Sequence, residues 1–367
     1  MTARLLATYR IAAAAADIDA RARALATEQS VEMPLEAIGD RRVLGEVVAR
    51  VESVRPAGEA FDVTLGIAAS TTGDEASQLV NMLFGNCSLQ PEVELRDVAF
   101  PAGYSAAFPG PASGIAGLRA RLLAPQRALT CSALKPQGSP VEHLAALAGL
   151  FARAGIDVIK DDHGIANQAC SPFAERVPAV QEAIARANHE TGRQALYAPT
   201  FSGGPAALAE QARIARDCGV EMALVAPMLV GLPVFVEMRR QFGLRLLAHP
   251  AFAGAARIAP ALLLGKLFRL FGADATIFPN HGGRFSYSRE TCLAIARAAR
   301  DPWEGLPACL PVPAGGMSVE RVAEMRQGYG EDTMLLIGGG LLTAGDALPE
   351  RAREFVARVA QPLAGTA

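Results

Sequence analysis

The sequence predicts an α/β protein: a (β/α)8 TIM barrel preceded by an α+β, ferredoxin-like N-terminal domain. Three observations predict it. A chain of 367 residues is long enough for one large barrel with an appended domain. From residue 125 onward, short apolar runs alternate with amphipathic helical stretches, the repeat and length of a (β/α)8 unit. Residues 1–105 instead mix strand and helix patterns as a small α+β sandwich does. A doubly wound parallel sheet is the alternative for the second part.

In order, Leu5–Ala13 reads as a strand and Asp17–Glu28 as a helix. Val43–Val54 and Phe61–Ser70 read as two strands meeting at the turn Arg55-Pro56-Ala57-Gly58. Glu75–Phe84 is a helix and Val93–Phe100 a further strand. Proline and glycine cluster in Pro101–Ser113, and residues 106–124 are assigned to a linker. The barrel domain spans 125–345, with strands expected at Ala128–Leu134, Asp157–Lys160, Ala195–Pro199 and Met222–Ala226. The remaining four are Arg245–Ala248, Asp274–Phe278, Ala308–Val312 and Met334–Ile337. Helix patterns such as Val141–Ala154, Val177–Glu190, Ala206–Cys218 and Ser318–Gln327 separate them, and residues 346–367 form a C-terminal helix.

Composition excludes several classes. A net charge of −2 and a pI near 6.3 leave no electrostatic footprint for nucleic acid. No apolar run reaches the roughly 18 residues of a membrane span, and the alanine run Ala12–Ala16 is too short for a signal peptide. The six cysteines are scattered without a Cys-x-x-Cys pair, which reads as reduced thiols in a cytoplasmic protein.

Three of the 35 basic residues are lysines and 32 are arginines. Arginine keeps its proton in a protein, whereas lysine can lose it and act as a base or add to a carbonyl or CO2. Lysines retained against this bias mark positions that need an ionisable amine. Lys266 lies within an amphipathic helical pattern and reads as structural. Lys135 and Lys160 close predicted strands. In a barrel, functional side chains collect at the C-terminal strand ends, and the unusual residues are found there. The first strand ends in Lys135-Pro136-Gln137-Gly138, the second in Lys160-Asp161-Asp162-His163, the fifth in His249-Pro250 and the sixth in Asn280-His281-Gly282-Gly283-Arg284. His143 and His189 fall on helix surfaces instead.

Strand alternation turns Lys160 and Asp162 to the same side, which points to a metal or proton-transfer centre in the barrel mouth. The seventh and eighth strands end in Gly315-Gly316 and Gly338-Gly339-Gly340. Barrels bind phosphate with these two loops, because glycine lets backbone N–H groups approach the anion.

Gly155-Ile156-Asp157-Val158-Ile159-Lys160-Asp161-Asp162-His163 resembles the Gly-x-Asp-Phe-x-Lys-Asp-Asp-Glu signature of the ribulose-bisphosphate carboxylase large chain. Lys135-Pro136 resembles that family's Lys-Pro-Lys, Phe84-Gly85-Asn86 its N-terminal Gly-Asn, and the glycine clusters follow in matching order. The resemblance runs from residue 5 to residue 345. It implies a homodimer whose sites form between one barrel and the partner's N-terminal domain. It also implies that Lys160 is carbamylated by CO2, and that Asp162 and the carbamate bind Mg2+, a hard ion that prefers oxygen donors. Lys135 would be the base, Gly315, Gly316, Gly339 and Gly340 would hold a phosphate, and Asn86 would arrive from the partner.

The departures point away from carboxylation and towards the type IV, RuBisCO-like branch. His163 replaces the second metal carboxylate, which suits Mn2+ or another divalent ion as an alternative, or makes His163 a second acid/base. Gln137 replaces the second lysine, and Arg284 stands where carboxylases keep a lysine over CO2. The expected activity is enolisation of a phosphorylated ketose without CO2 fixation. His163, His249 and His281 are candidates to return the proton. The first choice is isomerisation of 5-methylthioribulose 1-phosphate. Alternatives are enolisation of 2,3-diketo-5-methylthiopentyl 1-phosphate and decarboxylation or hydrolysis of a branched 3-oxo sugar-acid phosphate (3-oxo-isoapionate 4-phosphate), for which Arg284 would hold the carboxylate. A non-catalytic scaffold is the reading from another class, and the two retained lysines weigh against it.

Overall fold

A computed structural model describes residues 3–285 and 287–362. The chain forms two compact units, Met1–Phe108 with Phe252–Leu263, and Pro109–Ala251 with Leu264–Ala367. Among the described residues, no helix is long and apolar enough to cross a membrane.

The first unit is built on an antiparallel sheet of β1 (Arg4–Ile11), β2 (Arg50–Ala57), β3 (Ala60–Ala68) and β4 (Val93–Ala99), in the order β2-β3-β1-β4. Alternation along β1 buries Leu5, Ala7, Tyr9 and Ile11. The helices Ile18–Glu28 and Ala76–Phe84 supply further buried residues, and the Tyr9 hydroxyl donates to the Leu83 carbonyl at 2.7 Å. The expected strand Val43–Val54 is corrected here. Val43–Val47 is a π-type turn, and pairing begins only at Arg50. Arg4 is the reason: its guanidinium donates to the carbonyls of Glu46 (2.9 Å), Val48 (3.1 Å) and Gly66 (2.7 Å), holding that turn against the end of β3. The segment Phe252–Leu263, which the sequence places inside the barrel domain, belongs to this unit. Ile258 bridges Leu95, and Leu95 N–H donates to the Arg257 carbonyl at 3.0 Å.

The second unit is the barrel. Its strands are β5 (Leu129–Leu134), β6 (Val158–Asp161), β7 (Leu196–Ala198), β8 (Thr200–Phe201), β9 (Met222–Val225), β10 (Arg245–Ala248), β11 (Ala273–Pro279), β12 (Leu310–Ala314) and β13 (Met334–Leu336). They run in the order β7-β6-β5-β13-β12-β11-β10-β9-β8. The two ends of this sheet are β7, which falls within the predicted strand Ala195–Pro199, and β8, which lies just beyond it; Pro199, with no N–H for the ladder, separates them. β7 pairs with β6 and β8 with β9, so the sheet closes on itself. β12 lies two residues later than the run Ala308–Val312 suggests. It carries Pro311 and Pro313, and its ladder to β13 is the single pair Ala314↔Leu336.

Leu129, Cys131, Val158, Leu196, Ala198, Met222, Leu224 and Leu247 fill the barrel interior with Ala275, Ile277, Leu310, Val312, Met334 and Leu336. The supposed linker 106–124 takes part in this core. Gly114–Arg121 is a helix whose Ile115 and Leu118 join the cluster together with Leu122. Asp274 Oδ1 accepts from the N–H groups of Ser113 (2.8 Å) and Gly114 (3.0 Å), which anchors the start of that helix to β11. The C-terminal helix spans Leu348–Ala360, and the part of the expected helix at 363–367 lies outside the described residues.

Arg269 is 1 % exposed and donates to three carbonyls, those of Asp301 (2.7 Å), Leu306 (2.9 Å) and Pro307 (2.8 Å). Arg269→Ala leaves these acceptors unpaired and is expected to lower unfolding stability by about 3 kcal/mol. Urea titration checks it. Arg269→Lys should recover little, because one ammonium cannot reproduce the guanidinium fork.

Candidate active site

Val158 lies in the barrel interior, so alternation along β6 sends Lys160 inward, Asp161 outward, and Asp162 inward at the mouth. The parallel register of β5 and β6 pairs Ala133 with Lys160 and Leu134 with Asp161. One step further, Lys135 meets Asp162, and its Nζ lies 2.8 Å from Asp162 Oδ1. His163 Nδ1 is 3.4 Å from the same oxygen. From β10, across the mouth, the His249 ring stacks on His163 with centroids 4.5 Å apart and planes 11° from parallel. Lys160 is 3 % exposed, and its amine donates to the Asp161 backbone carbonyl at 2.9 Å.

The charges act on one another. Burial lowers the Lys160 pKa and Lys135 pushes it further down, against the opposing pull of Asp162. For Asp162, burial would raise the carboxyl pKa, but hydrogen bonds to His163 and Lys135 and the charges of both lysines hold it well below the usual carboxylate range. Burial, with Lys160 and His163 beside it, pushes the His249 pKa down to about 3. Its Nδ1 accepts from the Ala251 N–H at 3.1 Å. His249 is therefore a neutral imidazole at working pH, with Nε2 left as the donor.

The glycine loops lie on the same strand ends. A Cβ built on Gly316 would stand 2.2 Å from the Gly283 Cα, and one on Gly283 would stand 2.8 Å from the Gly315 carbonyl oxygen. The loops after β11 and β12 thus touch backbone to backbone, and Gly315 and Gly316 hold φ of 78° and 66°. After β13, a Cβ on Gly338 would lie 3.6 Å from Lys135 Cε, which places Lys135 beside the last glycine cluster. Gly339 has open space where a side chain would be, and Gly340 approaches the Met317 carbonyl.

Other expected residues have contacts of their own. His281 Nε2 faces Glu324 at 3.3 Å, while its Nδ1 is buried without a partner. Arg284 is exposed, with its guanidinium 5.0 Å over the Phe285 ring. Asn86, in the first unit, is exposed and donates to Glu28 (2.8 Å) and Glu32 (3.1 Å).

Sequence reasoning missed what lies behind β6. Asp161 is fully buried and accepts from Arg176 Nε (3.2 Å), the Tyr197 hydroxyl (2.7 Å) and the Thr200 N–H (3.0 Å). The alternation of Lys160-Asp161-Asp162 already turns Asp161 away from its neighbours. Nothing local singles out Arg176 from 32 arginines.

Residues 114–360 match the family model of the ribulose bisphosphate carboxylase large chain, catalytic domain. The chain is 55% identical to ribulose bisphosphate carboxylase-like protein 1 of Rhodopseudomonas palustris, over 98% of each. It is 54% identical to the 5-methylthioribulose-1-phosphate isomerase of Rhodospirillum rubrum, over 98% of this chain and 97% of that one. A crystal structure of a Rubisco-like protein from Rhodopseudomonas palustris superimposes with a TM-score of 0.92, at 51% identity and 98% coverage of both chains.

Proposed function

Because this chain belongs to the ribulose-bisphosphate carboxylase large-chain family, among its RuBisCO-like members, we propose that it isomerises 5-methylthioribulose 1-phosphate by enolisation, without fixing CO2. The observation that carries this reading is the convergence of Lys135, Asp162, His163 and His249 at one mouth of the barrel. The similarity to the isomerase over nearly the whole of both chains supports the choice of substrate.

In this mechanism, Lys135 takes the proton from the carbon next to the carbonyl once its amine is released from Asp162. His249, neutral and with only Nε2–H to offer, donates a hydrogen bond to a substrate oxygen and does not act as an imidazolium acid. His163, half-exposed beside it, returns the proton to the neighbouring carbon. The glycine loops after β12 and β13 hold the phosphate and anchor the substrate against Lys135.

A divalent ion fits this site on one condition. Among the described residues, no three His, Cys, Asp or Glu side chains are grouped to hold a metal. Carbamylation of Lys160 would supply the missing oxygen donor, and the burial that favours its neutral amine supports that step, since only a free amine adds CO2. Asp162 and the Lys160 carbamate would then hold Mg2+, and Mn2+ is the alternative if His163 serves as a third ligand instead of returning the proton. When bound, the ion supplies positive charge to the substrate oxygen that becomes negative. The enzyme works as a homodimer in this reading, with Asn86 offered to the partner's site. The six free cysteines support a reducing, cytoplasmic setting.

The test is proton NMR of 5-methylthioribulose 1-phosphate in D2O with enzyme, Mg2+ and bicarbonate. Deuterium wash-in with a new sugar phosphate is the expected outcome. No exchange would sink the proposal. Gly316→Ala, which forces the β11 and β12 loops apart, is expected to raise KM about tenfold or more while a folded barrel remains. An unchanged KM would move the phosphate elsewhere.

A further inference from the structure

We infer that Asp161, Arg176 and Tyr197 form a buried brace that positions the Lys160, Asp162 and His163 run for reaction. None of the three touches the space where a substrate would sit. Asp161 and Tyr197 point outward, because their strand neighbours Lys160 and Leu196 point inward. Arg176 comes from the helix Phe173–Thr191, packed outside β6, and is fully buried.

Arg176 uses all three guanidinium nitrogens. Nε donates to Asp161, and the two terminal nitrogens donate to the carbonyls of Ser171 (2.5 Å) and Ala166 (2.7 Å). Those carbonyls belong to the loop that leaves β6 through Asp162 and His163. One end of that loop is tied to the next strand, since the Thr200 hydroxyl donates to the Asp162 carbonyl at 3.1 Å. The Thr200 N–H from β8 and the Tyr197 hydroxyl from β7 fix Asp161. A buried ion pair adds little net stability over well-packed apolar residues. What this one does supply is geometry. It locks the backbone on both sides of Asp162, and through it the 2.8 Å contact with Lys135 and the stacking of His163 on His249. These are positioning residues, and the kinetic consequence rests on the proposed function.

The experiment compares wild type with Arg176→Lys, Tyr197→Phe and a control, Arg186→Lys, whose exposed side chain pairs with Glu182 on the helix surface. Imidazole 13C–1H NMR resolves the five histidines, and deuterium exchange gives kcat and KM. In both brace variants the His163 and His249 signals are expected to shift while those of His143 and His189, exposed on helices, stay in place. The expected kcat falls about 10- to 100-fold with KM within about twofold, since misplacing reacting groups by an ångström costs on that scale. The control should match wild type in every readout. If Arg176→Lys unfolds, Tyr197→Phe, which removes one hydroxyl, decides. Unmoved His163 and His249 signals with unchanged kcat in a folded variant would overturn the brace. Should wild type show no exchange, the proposed reaction fails, and the histidine signals alone decide the brace.

Discussion

Lys135→Ala is expected to slow deuterium exchange into the substrate by about 10²–10⁴-fold, the usual contribution of a positioned acid/base group. KM should change little, because in the proposed mechanism the glycine loops, not this amine, hold the phosphate. The site offers no ready replacement. His249 is held neutral, but its Nδ1 already accepts the Ala251 N–H and its Nε2 carries the proton. Lys160 is buried with its amine on the Asp161 carbonyl, and Asp162 is kept ionised by its cationic neighbours and is correspondingly a weak base. Lys135→Arg tests the same point from the other direction. It keeps the charge opposite Asp162 but cannot release a proton near neutral pH, so it should be as inactive as alanine while folding normally. Exchange that survives both substitutions would transfer the base to His163.

Lys160→Arg is expected to abolish dependence on bicarbonate and lower exchange roughly a thousandfold, the loss of several kcal/mol of charge stabilisation at the reacting oxygen. Guanidinium does not form a carbamate under these conditions, and a buried arginine would bring a second fixed cation beside Lys135. The pH dependence has a defined sign. Burial lowers the Lys160 pKa, so the neutral amine that adds CO2 becomes available at lower pH than for an exposed lysine. Activation by bicarbonate should therefore develop as pH rises through that lowered value and fade on acidification. The 13C signal of a carbamate, sought in wild type with labelled bicarbonate and absent in Lys160→Arg, checks the chemistry without any turnover. Wild-type activity indifferent to bicarbonate, with no such signal, would remove the carbamate and with it the case for an oxygen-ligated metal.

The barrel was legible because its information is local. Each strand run carries its own apolar period, and a lysine, a histidine or a glycine pair at its end is visible without knowing any neighbour. Elements whose form depends on a distant partner were not legible. Val43–Val47 looks extended until Arg4 collects its carbonyls, and the helix Gly114–Arg121 looks like linker until the open end of the barrel gives Ile115 and Leu118 something to cover. The segment Phe252–Leu263 carries no sign that its partner is Leu95.

The same division runs through the candidate site. By itself the sequence determined that Lys160 and Asp162 share a face, because side-chain alternation is a property of any strand. It also determined that Lys135, His249 and the two glycine clusters lie at strand ends. Only the tertiary structure decided that Lys135 contacts Asp162, since that follows from the register of β5 on β6, and that His163 stacks on His249, since that follows from closure of the sheet through Pro199. It alone selected Arg176 for Asp161. A buried carboxylate must find a partner wherever the fold brings one, and hydrogen bonds across the gap between a strand and its covering helix leave no periodic trace in the chain.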